Sequence, residues 1–196
     1  TVSVTDGTNT VSNAANIDNI IGGQGTNTFV FVDGGGFDGY ITGGTGSNIL
    51  DYSQYTTAIE VDFTDMDTLA SDGSFMPGAA TGTLGINGIQ KVIGGSTSSD
   101  ILIGQGRANA WTVTGVNSGS LNGTIAFSGF ETLVGQDDYA DTFTIMTGGR
   151  IDGTIMGSVA DTATGLDSIR IDSAATFASV TYYISGVDSG TILMDT

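Results

Sequence analysis

Apolar residues arrive along this chain in short bursts. Ile20-Ile21, Phe29–Phe31, Tyr40-Ile41, Ile49-Leu50, Ile59–Phe63, Ile89–Ile93, Ile101–Ile103, Trp111–Val113, Ile125–Phe127, Leu133-Val134, Phe143–Ile145, Ile169–Ile171 and Val180–Ile184 mark the rhythm. Most neighbours are about ten residues apart, the length of one short strand plus one turn. Inside many bursts apolar and polar residues alternate, as in Trp111-Thr112-Val113-Thr114, Phe143-Thr144-Ile145 and Ile169-Arg170-Ile171. A period of two sends one face inward and leaves the other in water. The pattern predicts many short strands.

The bursts belong to repeated phrases. IDNIIGGQGTNTFVF (17–31), INGIQKVIGGSTSSDILI (86–103) and FSGFETLVGQDDYADTFTI (127–145) share an apolar pair, a glycine turn, a polar run with Asp or Asn, and a second apolar pair. Recurrence of this kind predicts a coiled β-solenoid whose turns bury each other's apolar faces. A second phrase, GGFDGYITGG (35–44), SGSLNGTIAF (118–127) and GGRIDGTIMG (148–157), aligns on Asp-Gly or Asn-Gly. Those pairs accept the positive φ values of a tight turn, so they also suit hairpins, which would make an antiparallel β-sandwich. Both readings stay open. In the coiled reading the middle copy carries an extra strand within GQGRANAWTVT (104–114), and residues 64–82, with the single proline Pro77, form the largest loop excursion. No linker stands out, and 1–196 reads as one domain.

Composition narrows the class. With 32 glycines, one proline and very few Glu, Lys or Arg, little material is left for helices. Thr, Val, Ile, Phe and Tyr favour strands, so the expected class is all-β. At 196 residues and 39% apolar content the chain can bury a core. Its formal net charge of −17 repels a phosphate backbone or an anionic membrane and attracts cations. The absence of Cys and His removes disulfides, thiolate metal sites and imidazole ligands. No charged-then-apolar leader stands at Thr1, and no apolar run nears the ~18 residues of a membrane span. The chain reads as a mature product or an excised piece. TVSVT (1–5) and GTILM (190–194) are already strand-like, which predicts neighbours that cover both ends.

GGQGTNTFV (22–30) and GGTGSNILD (43–51) resemble the GGxGxDx(apolar)x nonapeptide of the repeats-in-toxin, hemolysin-type calcium-binding family, with Asn in the Asp place. GGSTSSDIL (94–102) and GQDDYADTF (135–143) keep Asp100 or Asp141 but carry an extra residue. The likeness is to the Gly- and Asp-rich segments of giant bacterial adhesins and surface-layer-like proteins. It implies a right-handed parallel β-helix or β-roll with calcium between turns, an ion that takes six to eight oxygen ligands. The ligand positions it implies are Asn27 and Asn48, with Asp100 and Asp141 in the other copies; Asp51 is a further candidate metal ligand. Asp137 and Asp138 with Asp141, and Asp62, Asp65 and Asp67, are the densest carboxylate groups and the candidates for a cation. The same Asn positions also suit a metal-free ladder of side chains that satisfies backbone groups.

These features predict an extracellular structural or adhesive module, secreted or attached to a cell surface, that meets copies of itself or neighbouring repeats end to end. Glycans or cell surfaces are the further expected contacts, with no nucleic acid and no membrane insertion. Phe29, Phe31, Phe127, Phe130 and Phe143 are expected in the core, whereas Tyr52, Tyr55, Tyr139, Tyr182 and Tyr183 suit a sugar-binding or subunit-contact surface. Recurring Thr-x-Thr, at Thr8/Thr10, Thr26/Thr28, Thr81/Thr83, Thr112/Thr114, Thr142/Thr144 and Thr162/Thr164, supports an alternative as an ice- or polysaccharide-binding β-helix. A carboxylate-based polysaccharide enzyme using Arg107, Arg150 or Arg170 is the weakest reading, and no catalytic residue is assigned.

Overall fold

Alternating side chains and glycine turns give strands of 3 to 8 residues. The computed structural model describes residues 2–5, 10–14, 16–36, 38–66, 77–158, 165–172, 174–186 and 189–195. An antiparallel hairpin comes first, β1 (Val2–Thr5) and β2 (Thr10–Ala14). Consecutive strands then alternate between two 8-stranded sheets. β3 (Asn19–Ile21) opens sheet I and β4 (Asn27–Val32) opens sheet II. β5 (Tyr40–Thr42) and β6 (Asn48–Gln54) repeat the step one place along.

The next step breaks the regular advance. β7 (Glu60–Asp62) skips ahead in sheet I, and β8 (Gly78–Ala80) and β9 (Thr83–Asn87) double back until β9 pairs with β5. β10 (Lys91–Ile93) crosses to sheet II beside β6, and β11 (Ile101–Ile103) returns to sheet I on the far side of β7. β12 (Ala110–Gly115) crosses again; β13 (Ser118–Leu121) and β14 (Ile125–Ser128) then double back to β10. β15 (Thr132–Val134), β16 (Thr142–Ile145), β17 (Thr154–Met156) and β18 (Ser168–Ile171) resume the alternation. An antiparallel hairpin, β19 (Ser179–Gly186) and β20 (Ser189–Asp195), follows.

The class is therefore all-β, with two mixed sheets. Within them every described pairing is parallel except those made by β8 and β13, the middle strands of the two meanders. Of the three Asp-Gly and Asn-Gly phrases, only Asn122-Gly123 makes a hairpin, with φ of 53° and 66°. Asp38-Gly39 and Asp152-Gly153 lie instead in connections between the sheets. The expected excursion at 64–82 holds a strand, since Gly78–Ala80 returns as β8; residues 67–76, Asp67 among them, lie outside the described residues.

Register lines carry the core from one end to the other. In sheet II, Phe29, Leu50, Val92, Phe127, Gly119, Val113, Ile145 and Ile171 stand side by side on successive strands. In sheet I, Ile20, Ile41 and Ile86 form one run and Val61, Leu102, Leu133 and Ile155 another. Inward residues of both sheets belong to one apolar cluster, in which each fully buried side chain contributes roughly 1.5–3 kcal/mol. Trp111 stacks on Phe143 at 5.7 Å and meets Phe127 edge-on at 5.9 Å. Phe31 stacks on Tyr52 at 4.7 Å.

The tyrosine expectation is corrected by this packing. Tyr52 and Tyr55 are core residues, and their hydroxyls donate to the carbonyls of Thr81 and Gly35. A buried ring with its polar tip satisfied by backbone is stable inside, so neither is available to a sugar. Tyr139 is exposed. The side chains of Tyr182 and Tyr183 lie outside those described.

Candidate functional site

Glycine turns bring Asn and Asp to the start of successive strands, where neighbouring turns stack on one another. In the turn from β3 to β4, Asn27 accepts the Gly23 N–H at 3.0 Å on Oδ1. Its Nδ2 donates to the carbonyls of Gly23, Gly25 and Gly43 at 3.3, 3.0 and 2.9 Å, and to Asn48 Oδ1 at 2.7 Å. Asn48, one turn on, donates to Gly44, Gly46 and Gly88 carbonyls at 3.3, 3.1 and 2.8 Å. Its backbone N–H is taken by Gln90 Oε1 at 2.8 Å. The glycines are needed for this closeness: a Cβ on Gly43 would stand 2.2 Å from the Gly88 oxygen and 2.4 Å from Asn48 Nδ2.

The later turns keep the plan and change the chemistry. Asn109 holds its own turn through Gln105 and Arg107 carbonyls at 2.9 and 2.6 Å. Its backbone N–H goes to Asp141 Oδ1 at 2.6 Å, and the Asp141 N–H goes to Asp167 Oδ1 at 2.8 Å. Asp141 Oδ2 accepts the Gln136 N–H at 2.6 Å. On the opposite edge, Asp100 accepts from the Ile59 N–H at 3.0 Å, the Gly95 N–H at 2.6 Å and the Thr97 hydroxyl at 2.9 Å. The Asp100 N–H is in turn taken by Glu131 Oε2 at 3.2 Å, while Asn117 Nδ2 donates to Glu131 Oε1 at 2.8 Å. In each column one turn's donor meets an oxygen of the next turn's side chain.

Burial weakens the acidity of two of these carboxyls. Desolvation pushes Asp141 above the usual carboxylate range, opposed by the N–H groups of Gln136 and Asn109 and assisted by nearby Asp167. Desolvation likewise raises Glu131, with Asp100 adding repulsion and its hydrogen bonds opposing.

No known family, curated protein or solved structure matches this chain. Its own geometry is what defines the site.

That geometry separates the expected cation ligands. Asn27 and Asn48 turn amide nitrogens, not oxygens, toward the turn carbonyls. Asp100 and Asp141 are fully buried and spend their oxygens on N–H and O–H donors. Asp51 lies in β6 and caps the Ser53 N–H at 2.8 Å, away from the turn. Asp137 and Asp138 are exposed on the turn before Asp141, and Asp62 caps the Thr64 N–H at 2.7 Å. Among the described residues no three acidic groups converge as a metal cage would. Calcium needs oxygens all aimed at one point, so the buried columns as built do not fit it.

The threonine array is also dispersed. Thr112 stands beside Thr144 in sheet II, but the same line continues to Ser120 on one side and Arg170 on the other. Thr8, Thr162 and Thr164 lie outside the described residues. Arg150 pairs with Asp152 on the surface, and Arg107 donates to Gln105.

Gln90, Asn109, Glu131 and Asp167 join the columns although the repeated phrases do not mark them as ligands. Asn109 is legible in GQGRAN (104–109), where Gly104 stands five residues before the Asn as Gly22 does before Asn27. Gln90 and Glu131 share one slot of the repeated phrases, two residues after Gly88 and Gly129, but nothing in that slot marks a turn holder. Only the stacking of distant turns puts their oxygens opposite Asn48 and Asp100.

Proposed function

We propose that this chain is an extracellular structural segment. In this reading it is a right-handed parallel β-helix interrupted by two meanders, secreted or surface-attached, that stacks end to end on copies of itself or on neighbouring repeats. Parallel crossovers between sheets favour the right hand, and the alternation of strands between sheets supports the coil. The observation that carries the role is the uncovered last layer. In one register line Trp111 and Phe143 are 0% and 1% exposed, whereas Ile169 on the edge strand β18 is 44% exposed. Nearby Leu166 is 87% exposed, and among the described residues the edge strands β17 and β18 have a partner on one side only. An open strand edge beside an unfinished apolar layer is what a further turn would cover.

Catalysis has no part in this proposal, because the buried polar groups are consumed in holding turns. Calcium, implied by the repeat resemblance, is not required by it either. Size-exclusion chromatography with light scattering, followed by negative-stain imaging, tests the role. Elongated multimers that Ile169→Asp and Leu166→Asp dissolve into folded monomers are expected. A compact monomer at millimolar protein concentration would overturn the proposal.

A further inference from the structure

Two Asn-Gly pairs occur in this chain, Asn87-Gly88 and Asn122-Gly123, and the fold treats their carboxamides differently. In such a pair the glycine nitrogen can attack the Asn Cγ, a step that the missing glycine side chain leaves unhindered. We propose that Asn87-Gly88 is a self-modification site that converts to aspartate and isoaspartate in the folded protein, while Asn122-Gly123 is held inert, and that the isoaspartate product releases the turn held by Asn48.

Strand order explains why the Gly88 nitrogen is available. Gly22, Gly43 and Gly88 follow the register line Ile21, Thr42, Asn87 of sheet I. Gly22 donates its N–H to the Thr42 carbonyl at 2.7 Å, and Gly43 donates to the Asn87 carbonyl at 2.9 Å. The meander interrupts this series. Beyond β9 the next strand, β8, runs antiparallel and begins at Gly78, opposite Ile86, so the ladder does not extend to Gly88. The Gly88 N–H turns instead to Asn87 Oδ1 at 3.0 Å. That contact holds the carboxamide against the nitrogen, with Cγ one bond behind the oxygen. Asn87 Nδ2, the leaving group, has no hydrogen-bond partner among the described residues, and both residues are half-buried, within reach of water.

Asn122 has the same successor and the opposite restraint. Its Oδ1 accepts the Ala110 N–H at 2.8 Å, and its Nδ2 donates to Gln105 Oε1 and Asn109 Oδ1 at 2.9 and 3.0 Å. The carboxamide is tied to another turn at both ends. Those hydrogen bonds must break before its Cγ can meet the Gly123 nitrogen.

The reaction needs water alone as co-reactant. The bond from the Gly88 nitrogen to Asn87 Cγ forms, the Cγ–Nδ2 bond breaks, and Nδ2 leaves as ammonia with the proton given up by the glycine nitrogen. Water then opens the five-membered imide, at Cγ to give aspartate or at the main-chain carbon to give isoaspartate. The second product strains the stacked turn. In the parent, the Asn87 carbonyl accepts from Gly43 and the Gly88 carbonyl accepts from Asn48 Nδ2 at 2.8 Å. In isoaspartate the main chain runs through Cβ and Cγ, one atom longer, and the former Asn87 carbonyl leaves the chain as a carboxylate. The two acceptors lose their spacing, and Asn48 loses its hold on Gly88.

Incubation of the folded chain at pH 8, followed by tryptic digestion and tandem mass spectrometry, tests the site, since cuts after Lys91 and Arg107 put the two Asn on different peptides. Conversion at Asn87 is expected to run at least tenfold faster than at Asn122 in the folded chain, and the two rates to come within about twofold in denaturing guanidinium, where local structure no longer protects either. Equal rates in the folded chain, faster conversion at Asn122, or a ratio that persists in guanidinium would overturn the proposal. Thermal melts test the consequence. The aged parent is expected to melt below the fresh one, whereas Asn87→Gln, whose side chain is one carbon too long for the five-membered ring, keeps its melting temperature through the same incubation. An unchanged melt of parent protein carrying isoaspartate at position 87 would refute the release of the turn. Should the variant not fold, the two rates in the parent still decide the site. Peptide masses do not depend on multimers, so this proposal and end-to-end stacking fail separately.

Discussion

Ile49 and Thr112 stand in one register line of sheet II, the first directly after the polar turn holder Asn48 and the second directly after Trp111 at the centre of the core. The line runs Thr28, Ile49, Lys91, Ala126, Ser120, Thr112, Thr144, Arg170. Asn27, Asn48 and Gln90 directly precede its first three members, up to the meander of β12, β13 and β14, and beyond it Asn109 holds the turn two residues before Trp111. The meander thus shifts the boundary between turn and strand by two positions. A shift of two preserves which face is buried, whereas a shift of one would invert it.

Trp111 is fully buried between aromatic rings, and its Nε1 has no hydrogen-bond partner among the described residues. Trp111→Ala is expected to destabilise the fold by about 3–5 kcal/mol through the cavity it leaves. Trp111→Phe removes the unpaired N–H along with part of the ring, so its cost is expected to be less than half as large. Guanidinium unfolding of both variants, at equal m-values, measures the difference; equal costs would contradict this account of the indole.

Asn48 donates to three carbonyls from a fully buried position. Asn48→Asp keeps the shape and removes the donors, leaving a charge and unsatisfied carbonyls inside. A loss of about 2–4 kcal/mol at neutral pH is expected, recovering in part below pH 5 as the new acid protonates. Thermal melts across pH check it, and a variant as stable as the parent at pH 7 would show that the amide is not holding the turn.

Gly119 occupies the core line between Phe127 and Val113 because no side chain fits there. A Cβ would sit 1.9 Å from the Thr112 oxygen and 3.0 Å from the Phe127 ring. Gly119→Ala is expected to cost about 1–3 kcal/mol from overpacking, with disturbed Phe127 ring signals in NMR spectra. An unchanged melting curve would mean that the strands separate there without penalty.

Calcium added at millimolar concentration to chelator-treated protein is expected to leave the melting temperature within about one degree, because a ligand that does not bind the folded state adds no linkage term. The Asn turns donate nitrogens into their carbonyls, and Asp100 and Asp141 are already saturated with donors. A rise of several degrees would show that these turns rearrange around the ion.

Much of the fold is legible in the amino-acid sequence. Period-two bursts such as Phe143-Thr144-Ile145 and the shortage of helix formers determine strands, because alternation and β-favouring residues act locally. The glycine phrases mark the turns, and the spacing of GQGRANAWTVT marks the extra strand, since a tight bend must recur at the residue that permits it. What the sequence alone left undecided was the order of strands. SLNGTI and RIDGTI look alike, yet Asn122-Gly123 folds back as a hairpin and Asp152-Gly153 crosses between sheets. That choice depends on which apolar layer still needs cover, a property of the assembled core. The columns divide in the same way. Asn27 and Asn48 announce themselves through nearby glycines, but Gln90, Glu131 and Asp167 become turn holders only when segments tens of residues apart stack with their N–H groups in reach. Hydrogen-bond satisfaction of buried backbone is settled in three dimensions, and it is there that these side chains acquire their roles.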